Sequence, residues 1–441
     1  MVQIGIDGCE EIRGEGSAVF RQDSEAAHGV DDTFRIAAQS RPREAHTVVV
    51  DERMHSKPSE AQTAMRVVLL LRSLGAGGAE RQVALLANGL AGRGHAVAVA
   101  LFYRGGLLET DISADVALHG LGKRGRWDVV SPALALRDLV RRHDAQVIYS
   151  FMPVANLLAL TARGAAPNLR IVWGLRHGGM PLDSYDRLNW ISYRLEARLA
   201  GRADRIVVNA QSGYDYAVAA GMPESRLSLV ANGIDTGRFR HDPAGRAEWR
   251  ARWNVPPGAP LIGLPARIDP VKGHGDFLAA AASIAERRAD VRFVCIGGGI
   301  AGLAAELREK ALGLGLGEKL VWAGEVEDMP GALSALDIAC LSSHAEGSPN
   351  TVAEAMACGV PCVVTSVGAS ANIVGNTGIV VPARNPEALA NACLSLLERV
   401  AAGFDADPRG WLEARFSAEH MIGATETILQ DVIGRTASCV A

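Results

Sequence analysis

The chain reads as an α/β protein whose main body is two successive parallel-sheet halves. Three observations predict this. Short apolar, β-compatible runs alternate with helix-period stretches from residue 65 almost to the end, the pattern of strands laid parallel with helical returns. The alternation breaks once, in a polar stretch over 236–258 that contains Pro256-Pro257, and then begins again. At 441 residues the chain is long enough for about two to three domains, each with its own core.

Residues 1–64 stand outside that pattern, being rich in Glu, Asp, Arg, Ser and Gly with only isolated apolar runs such as Val48-Val49-Val50. We expect a disordered extension there, or a misassigned start, since Met65 directly precedes the first strand. The N-terminal half is expected over 65–235. It opens with a strand at 66–71, a glycine-rich turn through Gly75, Gly77 and Gly78, and a helix over 79–93 with Val83, Leu86 and Leu90 on one face. Further strands fall at 95–102, 146–150, 170–174, 205–209 and 227–231. Asn232-Gly233-Ile234-Asp235-Thr236 punctuates, and 236–258 reads as the linker. The C-terminal half, expected over 259–410, has strands at 261–267, 291–296, 319–323, 338–343, 362–365 and 378–381, with the clearest helix at 387–400. The tail at 411–432 reads as one amphipathic helix, within a final segment over 411–435.

A formal net charge of −4 gives no electrostatic case for nucleic acid as a partner. The seven cysteines include no CxxC pair and look like small buried hydrophobes in a reducing compartment. No run reaches the ~18 apolar residues of a membrane span, and no signal-peptide core precedes the fold, so a cytoplasmic location is expected.

The chemistry concentrates in Glu346-Gly347-Ser348-Pro349-Asn350-Thr351-Val352-Ala353-Glu354. A buried strand leads into a loop; Ser348 suits an N-cap and Pro349 the first helical position, where its missing N–H costs nothing. The N–H groups near Asn350, Thr351 and Val352 then face outward with the positive end of the helix behind them, a site for an anion such as phosphate. Glu346 and Glu354 flank that site. Carboxylates beside a phosphate are unfavourable unless they hold something neutral and polyhydroxylated, which points to sugar or ribose hydroxyls. Two solvated glutamates on a helix are the plainer alternative.

This stretch resembles the signature of two glutamates eight residues apart in family 4 (group 1) retaining glycosyltransferases. The resemblance extends from Met65 to about Val432 and is strongest between Leu261 and Pro382. It implies the GT-B fold, two Rossmann-like domains facing each other across a cleft, with the final helix crossing back onto the first. It also implies a nucleotide-sugar donor bound mainly by the C-terminal half and an acceptor held by the N-terminal half. By the same resemblance Glu354 would bind ribose hydroxyls and Glu346 the donor sugar, with backbone N–H groups of Asn350 and Thr351 on the sugar and phosphate. Arg267 and Lys272, in Gly263 to Gly273, look like the cations that meet the donor diphosphate. Physically, a departing nucleoside diphosphate develops negative charge that fixed cations can stabilise. No metal and no cofactor is expected. The form Glu346-Gly347-Ser348-Pro349-Asn350 resembles members that use UDP-sugars for bacterial surface polysaccharides and lipid-linked glycans, so the acceptor is expected to be a glycan or lipid-linked.

Other positions admit two readings each. Gly297-Gly298-Gly299 follows an apolar strand and could let the nucleotide approach the backbone at Gly298, or form an ordinary turn. Glu325 lies in the segment that, by resemblance, reads the nucleobase. Gly77 and Gly78 could belong to a dinucleotide fingerprint, but Glu80 stands where the third glycine should be and no acidic residue ends the second strand. The family places such a pair beside the donor phosphates. His177 follows a strand end and, by resemblance, supports the reacting sugar; a structural histidine is the alternative. The basic stretch Lys123-Arg124-Gly125-Arg126-Trp127, followed by Arg137, Arg141 and Arg142, could meet a lipid phosphate or a membrane at the inner face, or be a solvated helix surface. Outside the transferase reading stand a GT-B epimerase or phosphorylase, and a nucleotide-sugar binding protein without turnover.

Overall fold

Strand β1 (Arg66–Leu71) is, after Arg66, an uninterrupted apolar run because both of its faces are covered, as in parallel sheets generally. Its side chains alternate between two cores. Val68 and Leu70 point into one apolar layer, while Val67, Leu69 and Leu71 point into the other. In this computed structural model, which describes residues 64–75, 77–176 and 187–434, β1 is an inner strand of a seven-stranded sheet in the order β3-β2-β1-β4-β5-β6-β7. The partners are β2 (Ala96–Leu101), β3 (Ala117–Gly120), β4 (Val147–Phe151), β5 (Arg170–Leu175), β6 (Arg205–Val208) and β7 (Leu227–Leu229), all paired in parallel. Helices α2 (Val130–Arg142), α3 (Pro153–Leu160), α4 (Arg187–Leu199) and α5 (Gln211–Ala219) pack on one face. Helix α1 (Gly78–Gly92) covers the other.

The second sheet has six parallel strands in the order β10-β9-β8-β11-β12-β13. These are β8 (Leu261–Pro265), β9 (Arg292–Ile296), β10 (Leu320–Gly324), β11 (Ile338–Leu341), β12 (Cys362–Thr365) and β13 (Ile379–Val381). Helices α7 (His274–Arg287), α8 (Ala301–Gly313) and α12 (Pro386–Ala401) share one core with Ile262 and Leu264. The opposite face carries α9 (Met329–Ser334), α10 (Asn350–Ala357) and α11 (Ser370–Val374). Both sheets belong to one compact unit, and in each the functional loops leave the carboxyl ends of strands.

Three sequence expectations need correction. Residues 236–258 are not an open linker: they carry α6 (Pro243–Arg252), capped by Asp242, which accepts from the N–H groups of Ala244 and Gly245. Trp249 and Trp253 enter the second core, and Arg246 and Arg250 both pair with Asp337. The polar surface of α6 hid this anchoring. The tail is two helices, α13 (Pro408–Phe416) and α14 (Ala418–Gly434), because Ser417 is extended. Strand β3 is a short edge strand of four residues that the apolar pattern passed over. The expectations for residues 1–63 and for 177–186 lie outside the described residues.

The break at Ser417 has a function. Helix α13 contributes Leu412 and Phe416 to the second core, whereas Met421, Ile422, Leu429 and Val432 of α14 close the outer layer of the first. The chain therefore passes between halves twice, near Ile234 and near Ser417. The two passages are fastened together: Ile234 N donates to Phe416 O at 2.8 Å, and Ala418 N donates to Ile234 O at 2.9 Å. The seven-stranded half is further tied to α14 by Glu426, which accepts from Arg93 and lies 2.8 Å from His95 Nε2.

Candidate functional site

Helix α10 begins at Asn350 in the loop after β11, and Pro349 rather than Ser348 occupies its N-cap. Ser348 therefore does not cap the helix as expected. Proline fits there because it is extended (φ −74°, ψ 99°), and it brings no side-chain acceptor, so no side chain caps the first turn. Helix α1 also begins without a side-chain cap, at Gly77. The two starts meet across the cleft, since Asn350 Nδ2 donates to the carbonyl of Gly78 at 3.3 Å. Two positive helix ends thus converge on one place. A side chain at Gly78 would press on the Asn350 amide, and one at Gly77 would strike the Glu80 carboxylate.

The two glutamates sit in different polar settings. Glu346 is buried, and its Oε1 accepts from Lys272 Nζ at 2.7 Å and from Ser343 Oγ at 2.6 Å. The Lys272 turn is stitched to the Glu346 loop: His344 N donates to Val271 O at 2.7 Å, and Ser342 Oγ to Lys272 O at 3.0 Å. Gly273, in the left-handed region at φ +64°, permits that approach, because a Cβ would collide with the Ser342 carbonyl. Gly368 (φ +54°) does the same on the other side, where a Cβ would meet the carbonyls of Glu346 and Gly347. Glu354, one turn into α10, is 2% exposed. Its Oε1 accepts from Arg81 of α1 at 3.3 Å, while Oε2 is buried with no partner. Burial pushes the Glu354 carboxyl above the usual range, against the pull of Arg81 and Arg238.

Arg81 joins this candidate site through Glu354, and nothing in the α1 sequence pattern sets it apart. Asn232, read as punctuation, joins it too. Its Oδ1 accepts from Arg176 at 3.1 Å and from Asn209 at 3.3 Å, and its Nδ2 donates to Asn350 Oδ1 at 2.8 Å. The chain Arg176–Asn232–Asn350–Gly78 thus bridges both halves. An Asn where a strand ends at the cleft was the available signal.

Not every expected residue converges. Arg267 is exposed and paired with Asp269 at 3.0 Å, outside the contacts of Glu346. Gly297 and Gly299 have a packing reason of their own, since a Cβ on either would strike the carbonyl of Ala266 or Ile268. Gly298 packs against the side chain of Glu325, which is exposed beside it. The Thr351 side chain is half-buried in the first turn of α10. His177 lies outside the described residues. Among the described residues, no group of three or more His, Cys, Asp or Glu could hold a metal ion, and no helix is long and apolar enough to cross a membrane. The cysteines among them are free and buried, and burial pushes up the thiols of Cys295 and Cys362.

Comparison with known proteins matches two family models to the two halves. Residues 76–238 match the model described as Glycosyltransferase Family 4, and residues 259–399 the model described as Glycosyl transferases group 1. A GDP-mannose-dependent α-(1-6)-phosphatidylinositol monomannoside mannosyltransferase of Mycobacterium tuberculosis is 27% identical over 299 residues, covering 64% of this chain and 74% of the relative. A D-inositol 3-phosphate glycosyltransferase of Catenulispora acidiphila is 31% identical over 215 residues, 46% of this chain and 50% of the relative. Among solved structures, Anabaena Alr3699/HepE, determined with UDP and glucose, aligns with a TM-score of 0.72 at 21% identity, over 83% of this chain and 99% of its own. Sucrose-phosphate synthase from Thermosynechococcus elongatus aligns at 0.70 with 19% identity, over 84% and 99%. At such identities the structural likeness speaks for the fold, and that fold is GT-B.

Proposed function

Since the chain belongs to the group 1, family 4 glycosyltransferases and is an enzyme of that class, we propose that it moves a sugar from a nucleotide-sugar to a glycan or lipid-linked acceptor with retention of anomeric configuration. The observation that carries this reading is the pair of uncapped helix starts, α1 and α10, facing each other with Glu346 and Glu354 beside them. A diphosphate fits between two positive helix ends. Glu354 Oε2, buried and unpartnered, offers an acceptor for a ribose hydroxyl, and filling it removes the cost of leaving it bare. Glu346, fixed by Lys272 and Ser343, is the candidate for the donor sugar's hydroxyls.

In this reading Lys272, and Arg267 once released from Asp269, stabilise the charge that develops on the departing diphosphate. The glycosidic bond to the phosphate breaks as the acceptor oxygen attacks from the same face, and the leaving phosphate takes the acceptor proton. The N-terminal half holds the acceptor, and Arg176 and Asn232 keep the facing wall rigid. His177 is assigned to support at the reacting sugar. UDP-sugars are the favoured donors, on the form of the Glu346–Asn350 loop. A GDP-sugar is the second reading, favoured by the GDP-mannose dependence named for the mycobacterial relative.

Thermal unfolding against UDP, GDP, ADP and NAD tests this. A ligand at about 100 times its dissociation constant adds ~2.7 kcal/mol of stability, a shift of a few degrees. The expected result is selective stabilisation by one nucleoside diphosphate, lost in Glu354→Gln. Stabilisation by NAD alone, or by none of the four, would sink the reading.

A further inference from the structure

We propose that the outer face of α2, α3 and α4 docks the protein on an anionic lipid bilayer. Fifteen large hydrophobic side chains are exposed among the described residues, and nine of them lie in these three helices or just before them. Scattered exposed hydrophobics need no explanation, but concentration on neighbouring helices does. Helix α3 packs against both α2 and α4, so the three are side by side on one face of the seven-stranded sheet.

The pattern along each helix is specific. Before α2, Trp127 is 78% exposed, and on the helix Val130 and Leu134 continue the outer stripe at 69% and 62%. The next outward positions are Arg137 and Arg141, so the stripe turns from apolar to basic toward its C-terminal end. Helix α4 repeats the design: Tyr193, and Ala200 just beyond the helix, are buried, while Trp190, Ile191 and Leu195 face out beside Arg194 and Arg198. The Arg194 guanidinium stacks on the Trp190 ring at 4.5 Å, joining the apolar and cationic parts of one surface. On α3, Met152 and Val154 fill the gap between the two.

Charge decides which partner fits. Residues 123–142 hold six Lys and Arg against two acids, Asp128 and Asp138, in a chain whose net charge is −4. Asp128 is engaged by the N–H groups of Arg124 and Ser131, and Asp138 by Arg142. On α4 the only acid, Glu196, is buried. Exposed Trp and branched aliphatics mixed with cations match the interfacial zone of an anionic bilayer, where rings sit at headgroup level and cations meet phosphates. The helices follow parallel strands, so their first turns, which hold most of the apolar residues, lie at the carboxyl edge beside the cleft. A docked protein would present the cleft to an acceptor anchored in the same bilayer; this last point rests on the transferase reading, while docking does not.

The test is co-sedimentation of the full chain with phosphatidylcholine vesicles, with or without equimolar phosphatidylglycerol, at low and high salt. Binding is expected only to the anionic vesicles, weakening with salt. Trp127→Ser with Trp190→Ser, and separately Arg194→Gln with Arg198→Gln, should each weaken it roughly 10- to 30-fold. Both variants should keep the nucleoside-diphosphate stabilisation of the parent, which separates this proposal from the donor-site reading. Equal binding to neutral and anionic vesicles, no binding, or variants that bind like the parent would overturn it. So would a concentration-dependent dimer in sedimentation velocity that the same substitutions abolish without affecting vesicle binding.

Discussion

Glu354 has one oxygen on Arg81 and the other without a partner, so its charge is poorly compensated in the empty protein. Because burial raises its pKa, the folded state binds a proton more tightly than the unfolded chain does. Its contribution therefore makes the empty protein more stable as pH falls through the Glu354 transition, above the ordinary glutamate range. Glu354→Gln should remove the cost of the ionised form and raise the thermal midpoint at neutral pH, while abolishing nucleotide stabilisation; a lowered midpoint would count against this account. Lys272→Met should leave the fold recognisable and reduce transfer by about 10²- to 10³-fold, the scale of losing one fixed donor to developing negative charge. Gly368→Ala should be worse than its size suggests. At φ +54° with two carbonyls in the way, it must displace the Glu346 loop, so both stability and transfer should fall. The two glutamates were legible in the sequence because loop, helix start and charge stand close together in the chain; Lys272, 74 residues from Glu346, was reached only through the family resemblance of its own loop. Arg81 was not legible, since its meaning depends on a carboxylate 273 residues away on the opposite half.

At the level of elements, apolar periodicity located most strands of both sheets, and helix α12, because these bury residues on regular faces. It failed where anchoring is polar. Helix α6 is held by Asp242, by Trp249 Nε1 donating to Asp328, and by two arginines on Asp337, none of which leaves a periodic apolar trace. The single tail helix became two because Ser417 lies at a domain passage, a tertiary fact. The α1–α14 contact is close enough to test by overpacking. A side chain at Gly89 would collide with Ile422, so Gly89→Val should destabilise the protein by about 1–3 kcal/mol, although a helix interior ordinarily disfavours glycine. A neutral or stabilising result in chemical denaturation would show that α14 yields easily.

At the level of the whole molecule, the two passages between halves are clasped at Ile234 and Ser417, which makes that point the natural pivot of any closure. Ala418→Pro offers a clean test. Ala418 begins α14, where proline is tolerated, and Ser417 already has the extended ψ of 154° that a following proline requires. The substitution removes the bond from Ala418 N to Ile234 O and little else. Stability should drop by only about 1 kcal/mol, while turnover and the scattering-derived radius of the nucleotide-free protein should both change. Unaltered turnover and radius would mean that the clasp does not govern closure.

Helix α14 has a further consequence, for the way the chain comes off the ribosome. The N-terminal half emerges able to form its sheet, yet the layer that Met421, Ile422, Leu429 and Val432 complete stays open until α14 is made. The second half, whose own core needs nothing from α14, can fold in the interval. Synthesis order and completion order are therefore reversed, and the half made before the other is the one that waits, its sticky flank bare, until α14 emerges.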